Sequence, residues 1–412
     1  MKKILALLLA VVMVLSLVAC ATTEKPDDKA PADNTPADNT PAEQPEETPA
    51  EQPEETPAEQ PEEAPAESDY AVAMITDYGD ITDQSFNQTT YEACKEFCEA
   101  NGVKFNYFKP AGDNTADRVA MIEKAIDEGY NVVVMPGYAF GEAIKETAES
   151  NSDTTFIALD VGAGDLGEDY VVPANLYCAV YQEELCGYMA GYTAVKLGYT
   201  KLGFLGGMAV PAVVRYGYGY VQGVDAAAKE LDITVDLKYA YGNQFSGDAD
   251  ITAAMDTWYQ GGTEIVFACG GGIYTSAAEA AAKVGGKVIG VDVDQAGVIN
   301  GYSGVEDMTV TSAMKGLAAT VKTMLTETIL NNNWDKFGGK VESLGLVSGD
   351  DPELNYVQIP MTSTQWADGK FTQDDYKTLV KAMFDGTIKV SNDITAMPKT
   401  TTIKVEDLGN LK

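Results

Sequence analysis

From residue 70 onward, short unbroken apolar runs alternate with stretches in which apolar residues recur every three to four positions. Runs over 70–76, 103–108, 131–135 and 155–159 predict strands. Between them, 84–101, 116–129 and 140–150 predict helices; in the second, Val119, Ile122 and Ile126 share one face while Glu123, Lys124 and Asp127 face water. Unbroken apolar strands separated by helices predict a parallel sheet covered on both faces. The pattern then restarts, with strands over 201–205, 233–239, 264–269 and 287–291 and helices near 211–230, 248–260 and 274–284. The expected fold class is therefore α/β, with two doubly wound parallel-sheet lobes and chain crossings near 173–180 and 291–310. Residues 69–176 with about 293–330 are assigned to lobe 1, and 177–292 with about 331–412 to lobe 2. Ligands of open parallel sheets sit beyond the carboxyl ends of the strands, so two facing lobes would share one cleft.

A different pattern precedes this head. Lys2 and Lys3 are followed by an apolar run over 4–17, too short to span a bilayer comfortably, and residues 1–19 read as a signal peptide. The closing Leu17-Val18-Ala19-Cys20 resembles the lipobox of bacterial lipoproteins. That resemblance implies cleavage before Cys20, lipid such as palmitate on its thiol, and a head anchored at the extracytoplasmic face of the cell membrane. Residues 21–68 contain no aromatic, Ile, Leu, Val or Met and repeat Glu-Gln-Pro-Glu-Glu-(Thr/Ala)-Pro-Ala at 43, 51 and 59. With 15 acids against 2 lysines, the 20–68 segment reads as a disordered, extended, Pro-rich tether. At about 3.1 Å per residue it would reach on the order of 150 Å.

The net charge is −35, of which the head carries −24, arguing against nucleic acid or anionic lipid as partners of the folded part. The head has no apolar run long enough for a membrane-spanning helix. Of its five cysteines, Cys94 and Cys98 fall on one face of a predicted helix, and all five read as small buried hydrophobes. The chain has no histidine, which excludes Ser-His-Asp and Cys-His machinery and disfavours zinc; neither a metal nor a cofactor is expected. Gly162-Ala163-Gly164-Asp165-Leu166-Gly167 matches a dinucleotide fingerprint formally, but the residues after it do not predict a helix, so it reads as a loop.

The densest chemistry lies over 75–88, where Asp77, Asp80 and Asp83 precede Ser85-Phe86-Asn87-Gln88. Ser85 with Gln88 three residues later has the spacing of a capping box, placing Phe86 and Asn87 on a first helical turn. An aromatic face, an amide and carboxylates would then project over the strand ends as a small-molecule site. Equally, Phe86 would pack in the core and Asn87 cap the turn.

This segment resembles the signature of the basic membrane protein family, the PnrA-like nucleoside-binding lipoproteins. Further matches follow in order: Gly203-Phe204-Leu205-Gly206-Gly207-Met208 with Pro211, Arg215 and Tyr216; Thr257-Trp258-Tyr259; the glycines from Gly270; Gly290-Val291-Asp292-Val293-Asp294-Gln295; Thr311-Ser312-Ala313-Met314-Lys315; and Asp385-Gly386-Thr387-Ile388-Lys389-Val390. The resemblance implies a type I periplasmic-binding-protein fold, a monomeric non-enzymatic head, and delivery of purine nucleosides to the permease of an ABC importer. Carried over by motif, Phe86 and Tyr216 would stack on the base from opposite lobes, and the family's usual phenylalanine at the Tyr216 position leaves base preference open. Asp77, Asp83 and Asn87 would meet the base edge, Asp160 would make a polar contact across the cleft, and Gly271 would line it. Asp292 and Lys315 would hold the ribose hydroxyls, as a carboxylate accepts from and an ammonium donates to them. A hinge ion pair is the other reading of those two. The competing functions are binding of a sugar or other small polar ligand, a glycoside hydrolase using a pair such as Asp77 and Asp292, and a surface antigen or adhesin.

Overall fold

The computed structural model describes residues 68–167, 169–302 and 305–412. The signal peptide, Cys20 and the tether lie outside the described residues.

Thirteen strands are described: β1 Ala71–Ile75, β2 Lys104–Phe108, β3 Val132–Pro136, β4 Thr155–Leu159, β5 Leu176–Tyr181, β6 Lys201–Gly206, β7 Asp236–Tyr241, β8 Ile265–Cys269, β9 Lys287–Asp292, β10 Thr309–Lys315, β11 Lys340–Leu344, β12 Val357–Gln358 and β13 Lys404–Asn410. The α-helices are α1 Phe86–Asn101, α2 Thr115–Asp127, α3 Gly141–Thr147, α4 Ala163–Leu166, α5 Glu183–Leu197, α6 Pro211–Leu231, α7 Ala249–Gln260, α8 Tyr274–Val284, α9 Ala296–Ile299, α10 Leu317–Leu325 and α11 Gln373–Phe384. The strands form two sheets, ordered β11-β5-β4-β3-β1-β2 and β12-β10-β9-β8-β6-β7-β13. Every ladder is parallel except that of β12 against β10. β1, β3 and β8 are buried along their whole length, as expected of parallel strands covered on both faces. One apolar cluster runs between the two sheets, and two others cover their outer faces.

The elements expected between 70 and 291 are present, most within two residues of their expected ends. β7 starts later than expected because Asp232 ends α6 with φ 55° and the Ile233 N–H turns back to Ala228 O. The glycine motif after β4 is a correction: Ala163–Leu166 make one helical turn, steadied by the Asp165 carboxylate accepting from Gly162 N. The five head cysteines are buried free thiols.

The sheet partition departs from the expected lobe boundaries. β5 pairs with β4 in the first sheet, so residues 177–181 belong to lobe 1 and the chain crosses at Gln182. β10 pairs with β9 in the second sheet, which removes the crossing expected near 291–310 and places it at Gly316. α10 then packs against α1, β11 joins the first sheet, and β12 returns to the second. The three crossings are tied by Gln182 N to Leu344 O, Gly316 N to Tyr356 O and Tyr356 N to Gly345 O, at 2.7–3.0 Å. α5 and α6 meet backbone to backbone, because a Cβ on Gly187, Gly191, Gly219 or Gly223 would strike the facing main chain. The first helix after the first crossing is thereby fixed to lobe 2.

Candidate functional site

The carboxyl ends of both sheets open onto one cleft of about 1120 Å³. All nine residues singled out in the sequence line it: Asp77, Asp83, Phe86, Asn87, Asp160, Tyr216, Gly271, Asp292 and Lys315.

Asp77 follows β1 and is buried. Its Oδ1 accepts from the N–H groups of Tyr78 at 2.6 Å and Gly79 at 2.8 Å, and from Asn87 Nδ2 at 3.3 Å. Burial raises its carboxyl above the ordinary range, against the pull of those donors and of Arg118. The turn into α1 is built differently from the expected capping box. Asp83, not Ser85, satisfies the free N–H groups, accepting from Ser85, Asn87 and Gln88 at 2.9–3.1 Å. Gln88 Oε1 reaches back to Gln84 N at 3.0 Å, one residue earlier than expected. Asp83 therefore shapes the turn with both oxygens rather than standing free for a ligand. Asn87 donates to Asp77 and to Asp83, while its buried Oδ1 has no partner among the described residues. Phe86 is half-buried at the cleft.

Relieved of capping, Ser85 Oγ donates to Asp292 Oδ2 at 2.6 Å, joining the lobes. Asp292 ends β9 with φ 64°, and Asp160 follows β4 with φ 60°. Lys315, the last residue of β10, lies between them: its ammonium bonds Asp160 Oδ2 and stands 3.4 Å from Glu183 Oε1 and 3.8 Å from Asp292 Oδ1. The ring centroids of Phe86, Tyr181 and Tyr216 lie 4.8–5.7 Å from it. Burial opposes the Lys315 charge, but Asp160, Asp292 and Glu183 more than offset this and hold its pKa above the ordinary value. Burial likewise raises Asp292, with Lys315 and Ser85 pulling the other way. Asp160 Oδ1 is buried without a partner among the described residues.

Tyr216 lies deeper than the stacking role expected of it. It is only 1% exposed, edge-on to Phe267 at 6.0 Å, with its hydroxyl 3.4 Å from Asp292 Oδ1. The ring is enclosed rather than open as a wall, and its hydroxyl backs Asp292. The aromatic that lobe 2 does present is Phe245, in the β7–α7 loop, half-buried and lining the cleft. Its ring lies against the backbones of Gly207 and Gly270, where a Cβ would collide with it, and Gly270 and Gly271 hold φ of 131° and 51°. Those glycines are visible in the sequence as cleft-lining strand ends, but nothing in their spacing says that an aromatic from the neighbouring loop lies across them. Glu183 was also missed; it is fully buried at the start of α5 and accepts from Arg215 Nε at 2.6 Å.

The arrangement offers an aromatic side chain from each lobe, acceptor oxygens at Asn87 and Asp160 without partners among the described residues, and an ammonium set among carboxylates. A family model described as ABC transporter substrate-binding protein PnrA-like matches residues 70–355, which include every one of these groups. The chain belongs to that family. Among relatives of this PnrA-like chain, the ABC transporter nucleoside-binding protein BmpA of Lactococcus lactis is 30% identical over 240 residues, covering 55% of this chain and 65% of that protein. The chain thus spans just under two thirds of that relative. Basic membrane protein B of Borreliella burgdorferi is 29% identical over 311 residues, covering 70% and 83%. A solute-binding protein of an ABC transporter system from Aeropyrum pernix has the same fold, with a TM-score of 0.60 at 19% identity over 79% of this chain and 88% of that one. No helix among the described residues is long and apolar enough to cross a membrane.

Proposed function

We propose that this PnrA-like protein is the lipid-anchored, extracytoplasmic receptor of an ABC importer, closing on a purine nucleoside and passing it unchanged to the permease. The observation that carries this reading is that Phe86 from lobe 1 and Phe245 from lobe 2 line the same cleft as the Lys315–Asp292 group. A base between two aromatic faces gains stacking from both only when the lobes close, which couples recognition to closure. Asp77 and Asn87 then meet the base edge, where an unpartnered amide oxygen accepts an exocyclic N–H. Asp292, Asp160 and Lys315 meet the ribose hydroxyls. The names of the relatives point the same way.

Calorimetry of the full-length protein with adenosine, guanosine, inosine, cytidine and ribose tests this directly. Purine nucleosides are expected to bind tightest, and no free base should be released on prolonged incubation. Ribose binding as tightly as any nucleoside would return the cleft to the sugar alternative. For the anchor, Cys20→Ala should leave the head folded and move it from the membrane fraction to the soluble one; a variant that stayed with washed membranes would refute lipidation.

A further inference from the structure

Glu183 stands where the chain has just entered lobe 2, one residue past the crossing at Gln182, and Lys315 stands one residue before the crossing at Gly316. The Glu183 side chain is wholly buried and divides its oxygens between two cations: Oε2 to Arg215 Nε at 2.6 Å and Oε1 toward Lys315 at 3.4 Å. Its place is set by the backbone contact of α5 with α6, since Gly187 lies on Tyr216 O and Gly219 on the main chain of Glu184. That contact holds the start of α5 beside Arg215. A buried charge is poorly rewarded in stability, because well-packed apolar replacements of buried ion pairs are often neutral or better. Its presence beside the ligand group calls for a role in geometry.

We infer that Glu183 is a positioning residue for the ligand, holding the Lys315 ammonium at the meeting point of the lobes and keeping the Arg215 guanidinium away from Asp160. Asp160 has one oxygen on Lys315 and one without a partner among the described residues, so it is an alternative acceptor for a guanidinium released from Glu183. Arg215, Asp160 and Asp165 all line the cleft, and the guanidinium and each carboxylate favour one another's charged form. With Glu183 neutral, Arg215 turns to Asp160, displaces Lys315 from it, and removes the carboxylate oxygen offered to the ligand.

The choice of probe rests on the nucleoside reading; the placement of Lys315 and Arg215 does not. Glu183→Gln in the full-length protein should weaken inosine ten- to a hundredfold while changing hypoxanthine, which lacks the sugar, by less than twofold. A merely structural loss would weaken both alike and overturn the inference. In a crystal structure of ligand-free Glu183→Gln, Arg215 should be found on Asp160; a guanidinium unmoved in the Glu183→Gln variant, or one seated on Asp165 with Lys315 still on Asp160, overturns the inference even if no nucleoside binds the parent protein. Should the orphaned cation prevent folding, Glu183→Gln with Arg215→Leu removes it. Lys315 then still lacks Glu183, so a smaller inosine loss at unchanged hypoxanthine binding is expected, and none at all would refute the hold on Lys315.

Discussion

The two lobes are one topology used twice, β2-β1-β3-β4-β5 in the first and β7-β6-β8-β9-β10 in the second. An aspartate of nearly equal conformation follows the fourth strand of lobe 1 and ends that of lobe 2, Asp160 at φ 60° and Asp292 at φ 64°, and both carboxylates reach Lys315. At the first strand the lobes part. Between β1 and α1 lie residues 76–85 with Asp77, Asp80 and Asp83, while between β6 and α6 lies the short Gly207-Met208-Ala209-Val210, which carries no charge. Lobe 2 supplies its aromatic one strand over, after β7, on a floor of glycines. A repeated frame thus sets two like acids at the centre of the cleft, and divergent loops make its ends chemically different. A ligand with one planar end and one hydroxylated end matches that asymmetry.

The sharpest way to break the equivalence of the two aspartates is to remove them in turn. Asp292→Ala removes the partner of Ser85, Tyr216 and Lys315 together, and should weaken nucleosides by about 2–5 kcal/mol with little change for free bases. Asp160→Ala leaves Lys315 two other carboxylates and should have the smaller effect. Calorimetry on both variants decides; equal losses for nucleoside and base with Asp292→Ala would favour the hinge ion pair over a ribose contact. Next in size are the aromatic faces. Phe86→Ala and Phe245→Ala should each weaken purine nucleosides by about 1–3 kcal/mol at unchanged far-UV circular dichroism. If only Phe86→Ala has an effect, lobe 2 contributes no stacking face.

The start of α5 has no counterpart in its sister position, where Gly316-Leu317-Ala318 follow β10. Glu184 is buried there, its Oε2 without a partner among the described residues, and burial together with the Glu183 charge pushes its carboxyl up to about 7 from 4.5. Between those values the folded state keeps a proton that the unfolded state has released, so stability declines as pH rises through this window. Glu184→Gln should flatten that slope and raise stability at pH 8 by on the order of 2 kcal/mol, with no gain at pH 4. Urea denaturation at both pH values measures it; an equal gain at both would assign the effect to packing.

The sequence was most legible where burial is two-sided. β1, β3, β4 and β8 are unbroken apolar runs because helices cover both their faces. β10 is hard to read although it too is buried, because Thr309, Thr311 and Ser312 are polar; Thr311 meets Thr364 at 2.7 Å and Ser312 Oγ accepts from Gln295 N at 3.1 Å, while Thr309 Oγ1 has no partner among the described residues. β11 and β13 lie at sheet edges and carry charged residues, so no apolar run marks them. Without these strands, two of the three crossings could not be placed. All nine residues singled out in the sequence line the cleft because strand ends and a helix start are local features. The partners that distinguish a ligand group from a cap were not legible, since Ser85 and Asp292 lie 207 residues apart and Phe245 rests on glycines from two other strands.

The smallest effect separates an aromatic wall from an aromatic prop. Tyr216 is enclosed, and its hydroxyl lies 3.4 Å from Asp292, a long contact beside the 2.6 Å bond from Ser85. Burial raises its pKa far above the ordinary value, so the hydroxyl stays protonated and remains a donor throughout the working range. Tyr216→Phe keeps the ring against Phe267 and deletes only that donor. The expected loss is about 0.5–1 kcal/mol for nucleosides, the net worth of a modest hydrogen bond, with the ranking of adenosine, guanosine and inosine unchanged. Calorimetry against the three nucleosides checks both parts. A changed ranking would mean that the hydroxyl meets the base, and that lobe 2 closes on its ligand through Tyr216 rather than through Phe245.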